Sequence, residues 1–432
     1  MKTKLSRKFT AALTLFSLIG QVAWVVENMY LNVFLYNMFH ASAADISLMV
    51  AASAVAATLT TVFIGTLSDH LGRRKAFICG GYLLWGVSIL GFAALRVDRL
   101  EAAFPNLWIP AASLGIALVI ALDCLMTVFG SSANDAAFNA WLTDSTDESN
   151  RGSAEGINAM MPLVAILAVF GGFMAFDLKQ AQSWSTIFLI IGGVVSAVGV
   201  AGFFLIDEPP LQPIRGGYWR SIFYGFLPST VRQTPALYIS LAGFVLFNIS
   251  IQIFMPYLIL YYEVSLGMTD YVLIMAPAII LASVVTVLWG KVYDKRGFVP
   301  SLRASLAWLA AGYVVLFFFR ATLPVFLGSL LMMCGYLSGM AVFGARIRDL
   351  TPLGKSGMFQ GVRICSQVLL PGVIGPWIGK TVLRGAQTIV NSDGTESFIP
   401  NANIFAAAMV PIVLLVGWMV VGMVRGKKTK DA

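Results

Sequence analysis

Residues 65–75 read GTLSDHLGRRK, and they separate two stretches free of charge, residues 46–64 and 76–95. Residues 290–297, GKVYDKRG, repeat the arrangement directly after another apolar run. Gly65, Asp69 and Gly72 match Gly290, Asp294 and Gly297 at a constant offset of 225. A charged, glycine-bearing turn used twice between long apolar runs points to a chain that leaves and re-enters a bilayer, with its bases facing water.

Composition agrees. The 432 residues are 58% hydrophobic and only 12% charged, where a soluble domain carries about 25% charged residues. A hydrocarbon core about 30 Å thick needs roughly 20 apolar residues per helix, and lipid tolerates only helices or closed barrels. The runs are too long for barrel strands. Twelve are found, at 10–38, 45–68, 76–95, 109–143, 153–176, 184–206, 236–262, 271–292, 301–319, 324–348, 357–382 and 402–424; the fourth is longer than one crossing needs. The expected fold class is an all-α membrane protein of twelve transmembrane helices.

An even number of crossings puts both termini on one side. With the even-to-odd loops that side holds 23 of the 29 Lys and Arg, leaving only Arg96, Arg99, Lys179, Arg320, Lys380 and Arg384 opposite. Basic loops stay in the cytoplasm, so a multi-pass protein of the cell membrane with both termini cytoplasmic is expected. The net charge of +8 is spread over short loops, which argues against nucleic acid as a partner. Cys79, Cys124, Cys334 and Cys365 fall inside apolar runs without disulfide or zinc spacing. The first run spans fully and lacks the small-residue cleavage site of a signal peptide.

A second echo sets DSTDESNRGSAEG, residues 144–156, against DLTPLGKSGMFQG, residues 349–361. Asp144, Thr146, Gly152 and Gly156 recur at offset 205, and Glu155 faces Gln360. Both echoes place helix n against helix n+6. The chain therefore reads as a six-helix bundle over residues 1–206, a linker over 207–235 rich in Pro, Gly and Arg, and a second bundle over 236–432. Halves related by an axis along the membrane normal are a transporter architecture with the solute bound near the midplane between them.

At this point GTLSDHLGRRK resembles the signature loop between helices 2 and 3 of the major facilitator superfamily of secondary transporters, and the twelve-helix plan resembles it throughout. The resemblance implies a conformational latch. Asp69 and Arg73, framed by Gly65 and Gly72, would join Asp144 and the loop that ends in Arg151. Asp294, Arg348 and Asp349, with Gly290 and Gly297, would form the weaker copy, with Phe298 where Arg73 would repeat. Desolvated charge clusters suit such a role, being strong when closed and hydrated when open.

Ionisable residues inside spans are functional candidates by default. In the first run, Glu27 has Asn28 beside it, Asn32 nearly on the same face and Trp24 three residues back, a set able to hold a hydroxylated or cationic solute. The centre of the fourth run falls on Asn134 and Asp135, with Asn139 on the face of Asp135; Asp123 lies further out and is a weaker candidate. Deep carboxyls can alternate between charged and neutral as a site opens to either side, the minimum for proton coupling. The seventh run offers Asn248, Gln252, Tyr257 and Tyr261 for orienting hydroxyls or bonding neighbouring helices. In the eleventh, Arg363 and Gln367 share a face, Arg363 to contact solute or neutralise an acid across the interface.

Asp135, Phe138, Thr146 and Arg151 also resemble the helix 4 pattern of the glycoside–pentoside–hexuronide cation symporters, the melibiose-carrier group, which implies an acid serving both sugar and cation. Helix 2 has Ser53, Thr58, Thr60 and Thr61 in place of that group's intramembrane acids, which points to H+ rather than Na+. The expected function is a secondary active transporter, not an enzyme. It would move a small polar solute, a sugar or glycoside, by alternating access coupled to H+, with Na+ second. The alternative is a proton-coupled exporter of drugs or metabolites. The partners are the solute, the coupling ion and the lipid bilayer, and no cofactor is implied.

Three motifs mislead. GKS at 354–356 lacks the first glycine and preceding strand of a phosphate loop. Asn248-Ile-Ser250 fits a glycosylation acceptor but lies inside a helix. PGVIGPWIG at 371–379 partly resembles a drug-antiporter motif, yet small residues and prolines also make a kinked, closely packed helix.

Overall fold

A computed structural model of the chain describes residues 5–106, 108–146, 150–208, 217–268, 270–352, 356–391 and 394–428. Twelve principal helices run α1 Arg7–Phe39, α2 Ala43–Leu71, α3 Lys75–Phe92, α4 Ala111–Asp144, α5 Arg151–Phe173, α6 Ala181–Leu205, α7 Pro235–Ser265, α8 Tyr271–Arg296, α9 Phe298–Phe318, α10 Thr322–Leu350, α11 Gly361–Val382 and α12 Asn403–Lys428. Among the described residues ten are long and apolar enough to cross a membrane, and α5 and α12 contribute the shorter apolar stretches Ile157–Phe173 and Asn403–Met419. The apolar runs thus predict the helices one for one. The long fourth run is the 34-residue α4, which starts after Pro110.

Polar connections carry small elements that no long apolar run announces. Helix Val97–Ala103 precedes α4, and helices Tyr218–Phe223 and Pro228–Gln233 lie between α6 and α7. Strands β1 Thr388–Val390 and β2 Glu396–Phe398 pair between α11 and α12.

The chain forms two compact units, one of Met1–Tyr224 with Val390–Ser397, the other of Gly225–Ile389 with Phe398–Ala432. In the first, α1 packs on α5 and α6, α4 on α2 and α3, and α3 on α6. In the second, α7 packs on α11 and α12, α10 on α8 and α9, and α9 on α12. Every pair recurs at helix n+6, so the repeat seen in the loop motifs extends to the packing.

Small residues set these contacts, as helices in lipid require. A Cβ on Gly86 of α3 would lie 2.4 Å from the backbone nitrogen of Ser196 in α6, and one on Gly335 of α10 would lie 2.4 Å from that of Leu309 in α9. The PGVIGPWIG motif does the same for α11. A Cβ on Gly375 would meet Gln252 Cβ at 2.5 Å, and one on Gly379 would meet the Ile253 carbonyl at 2.5 Å, so the motif presses α11 onto α7.

Among the described residues four helices contain π-helical stretches: Val26–Tyr30 in α1, Ser131–Phe138 in α4, Tyr261–Ser265 in α7 and Cys365–Leu369 in α11. Such bulges cluster at functional sites because the extra residue re-aims side chains and loosens the backbone ladder. Glu27 lies on the first, Asn134 and Asp135 on the second, and Gln367 on the fourth.

Candidate functional site

The bulge in α1 turns Glu27 into the first unit, where it is 7% exposed. Its Oε1 accepts from Ser53 Oγ of α2 at 2.9 Å and from Thr127 Oγ1 of α4 at 3.0 Å. Those two hydroxyls are themselves 2.8 Å apart. Asp123 lies one turn from Thr127 on α4 and is 1% exposed. Glu27 Oε2 and Asp123 Oδ1 are both buried and without a hydrogen-bond partner among the described residues. Glu27 forms no ion pair among the described residues.

Asp135 sits half-buried two helical turns further along α4, and its Oδ2 accepts from Ser131 Oγ at 3.0 Å. Its neighbours are bound internally. Asn134 Nδ2 donates to the Tyr82 hydroxyl at 2.6 Å, that hydroxyl donates to the Phe16 carbonyl at 2.7 Å, and Trp24 Nε1 reaches Asn134 Oδ1 at 3.4 Å. A Cβ on Gly20 would lie 2.3 Å from Asn134 Nδ2, so α1 and α4 close tightly over this network. Trp24 also packs against Trp85, with ring centroids 5.0 Å apart. Asn134 and Trp24 therefore hold α1, α3 and α4 together. Asn139 Nδ2 donates to the carbonyls of Asn134 and Asp135, each at 3.2 Å, and so braces the bulge. Asn28 is exposed and donates to the Trp24 carbonyl at 2.8 Å; buried Asn32 donates to the Asn28 carbonyl at 3.1 Å.

Where GTLSDHLGRRK leaves α2, Gly72 takes the left-handed conformation at φ 60° and ends the helix. Gly297, its counterpart, also has positive φ, 78°, which explains why both turns carry glycine at this place. Past Gly72, Arg73 is exposed and Arg74 returns beneath α2, 5% exposed. Arg74 Nη2 donates to Asp69 Oδ1 at 2.5 Å, Nε to Asp144 Oδ2 at 2.9 Å and Nη1 to Ser68 Oγ at 2.8 Å. The base between the two acids is thus Arg74, where the resemblance implied Arg73. Glu208, just after α6, accepts the backbone N–H of Arg74 and, at 3.1 Å, that of Lys75, so its carboxylate caps α3. Asp69, Arg74, Asp144 and Glu208 all belong to the first unit. The Arg151 side chain lies outside the described residues.

Residues 11–376 match the Major Facilitator Superfamily. The chain belongs to that family. Its members are secondary transporters, not enzymes, and this chain is one of them. No curated protein matches it in sequence. Among solved structures, a variant of the nucleoside transporter NupG is similar at TM-score 0.72 and 12% identity, covering 95% of this chain and 98% of that one. A D-xylose-proton symporter matches at TM-score 0.72 and 14% identity over 95% and 96%. The xylose transporter XylE from E. coli matches at TM-score 0.66 and 15% identity over 95% and 98%. At such identities the likeness shows the fold.

The second unit of this major facilitator chain is poorer in charge. Asn248 is buried and donates to the Phe244 carbonyl of its own helix at 2.9 Å. Gln252 backs onto Gly375, and Tyr257 is fully buried beside Gly379. The Tyr261 hydroxyl reaches the Leu316 carbonyl at 3.3 Å. Gln367 is half-buried on its π-helical stretch. Arg363 is half-buried and makes no ion pair among the described residues. In the last turn of α8, the Tyr293 hydroxyl donates to Asp349 Oδ2 at 2.7 Å. Asp294, Arg348 and Asp349 are exposed and form no ion pair among the described residues. Phe298 has a different use, since the Arg346 guanidinium carbon lies 5.3 Å above its ring.

Four residues that matter here are not legible as such in the sequence. Ser53 and Thr127 look like ordinary helix serines and threonines until Glu27 is placed between them. Arg74 is indistinguishable from Arg73 until Gly72 fixes the turn. Glu208 precedes two prolines in what reads as linker, and only the fold brings it to the start of α3.

Proposed function

We propose that this transporter moves a small polar solute, a sugar or glycoside, by alternating access driven by protons. One observation carries the reading: buried Glu27 and half-buried Asp135 stand on the π-helical stretches of α1 and α4, and neither forms an ion pair among the described residues. Charge buried in low dielectric without a counter-ion must be neutralised from outside, and a proton does so with the smallest change in packing. Asp135 is the proton carrier nearer the solute. Asn28, Asn139, Gln252, Arg363 and Gln367 offer polar contacts to it, while Asn32, Asn134, Asn248 and Tyr257 hold helices in place. The pattern of Asp135, Phe138, Thr146 and Arg151 supports a sugar-type solute, as does the occurrence of a D-xylose-proton symporter among proteins of this fold. The Lys and Arg distribution supports a cell-membrane protein with cytoplasmic termini, and the Arg74 cluster then braces the cytoplasmic ends of α2 and α4.

The test is uptake of labelled sugars and glycosides into proteoliposomes under an imposed pH gradient, with solutes chosen by a thermal-shift screen at two pH values with and without Na+. Wild type should concentrate its solute until an uncoupler is added. Asp135→Asn should still exchange solute but not concentrate it. An Asp135→Asn protein that accumulates solute normally contradicts the assignment, and thermal-shift hits confined to apolar cations would favour an exporter.

A further inference from the structure

We propose that Glu27, Ser53 and Thr127 form a closed ring of hydrogen bonds that exists only while Glu27 carries a proton. The inference rests on the reading of Glu27 as a proton site and adds the two residues that govern it. Three oxygens lie in mutual hydrogen-bond contact: Ser53 Oγ with Glu27 Oε1 at 2.9 Å, Thr127 Oγ1 with Glu27 Oε1 at 3.0 Å, and Ser53 Oγ with Thr127 Oγ1 at 2.8 Å. Each contact needs one hydrogen between its two oxygens. Ser53 and Thr127 supply one each, because a hydroxyl has a single proton to donate. The third must come from the carboxyl group.

With Glu27 protonated on Oε1, the count closes. The acid donates to one hydroxyl, that hydroxyl donates to the second, and the second donates back to Oε1. With Glu27 ionised, both hydroxyls turn to the carboxylate, and two oxygen lone pairs are left facing each other at the Ser53–Thr127 contact. That contact then has to open, which shifts α2 against α4.

Among the described residues Glu27 Oε2 and Asp123 Oδ1, on α1 and α4, are buried without a hydrogen-bond partner, and Glu27 forms no ion pair. Neither Ser53 nor Thr127 takes the proton. They are positioning residues that set how firmly Glu27 holds it, and they sit on two helices that bound α1. Breaking either contact leaves the ring open and the acid free to exchange with water.

The experiment is infrared difference spectroscopy of the full-length protein in proteoliposomes across a pH titration. Wild type should show a protonated-carboxyl C=O band that Glu27→Gln removes. Thr127→Val and Ser53→Ala should each shift that band, because the acid loses a ring partner, whereas Thr127→Ser keeps the hydroxyl and should leave the band in place. The variants lie on different helices, so poor folding of one leaves the other to decide. No Glu27-dependent band, or a band unmoved in the folded variants, overturns the ring. A band erased by Na+ at constant pH also overturns it and makes the cluster a cation site. The spectrum needs no transport, so a protein that shows the band but ignores a pH gradient loses the proposed coupling and keeps the ring.

Discussion

Arg74→Ala should destabilise the protein while Arg73→Ala, one residue away in the same charged turn, should not. Arg74 makes two charge-assisted bonds, to Asp69 at 2.5 Å and Asp144 at 2.9 Å, and a third to Ser68 at 2.8 Å. Removing one partner of a fully buried pair costs about 3–5 kcal/mol, mostly through the charge left behind. Here the acids are 36% and 23% exposed on their side chains, so water repairs part of the loss. We expect about 2 kcal/mol, a factor of roughly 30 in the unfolding equilibrium. The Glu208 cap on α3 is made to backbone N–H groups and survives the substitution. Arg73 is exposed, and surface changes of that kind stay within about 0.5 kcal/mol. Unfolding in detergent, read by circular dichroism with denaturant, measures both variants. A double-mutant cycle with Asp144→Asn isolates the ion pair and should return about 1 kcal/mol or more of coupling. Equal losses for Arg73→Ala and Arg74→Ala, or a coupling near zero, would refute the assignment.

Gly379→Ala should destabilise the second unit by about 1–3 kcal/mol, the usual cost of overpacking, since its new Cβ would lie 2.5 Å from the Ile253 carbonyl; normal thermal stability would show that α11 packs on α7 less closely. Gly72→Ala should lose about 1 kcal/mol, the cost of placing a side chain at positive φ, with φ 60° there; calorimetry of the purified variant decides it. Asn134→Ala should lower stability by breaking its bonds to Tyr82 and Trp24 yet leave solute affinity intact, and a selective loss of binding by titration calorimetry would instead place Asn134 in the solute site.

Much of the fold is legible before any coordinates. Apolar length alone marks the twelve helices, because nothing but a helix satisfies the backbone of a 20-residue run in lipid. The paired motifs at offsets 225 and 205 reveal the repeat, and the neighbour relations of α1–α6 reappear in α7–α12. Intramembrane charge likewise draws attention to Glu27 and Asp135, since so few acids occupy the spans. The polar residues around them are harder to rank. Asn134 and Asp135 are adjacent and look equivalent, yet one is consumed by Tyr82 and Trp24 while the other keeps a single serine partner.

What the sequence determines by itself, then, is the number of helices, their division by repeat and the few places where charge enters the membrane, because each follows from hydrophobicity and chain length. Only the tertiary structure decides which neighbours those charges meet. A π-helical stretch rotates Glu27 toward Ser53 and Thr127, a left-handed glycine gives the buried position to Arg74 and the exposed one to Arg73, and Glu208 crosses 133 positions of sequence to reach the amide of Lys75. These outcomes depend on backbone direction at single residues and on contacts between distant helices, and local composition specifies neither.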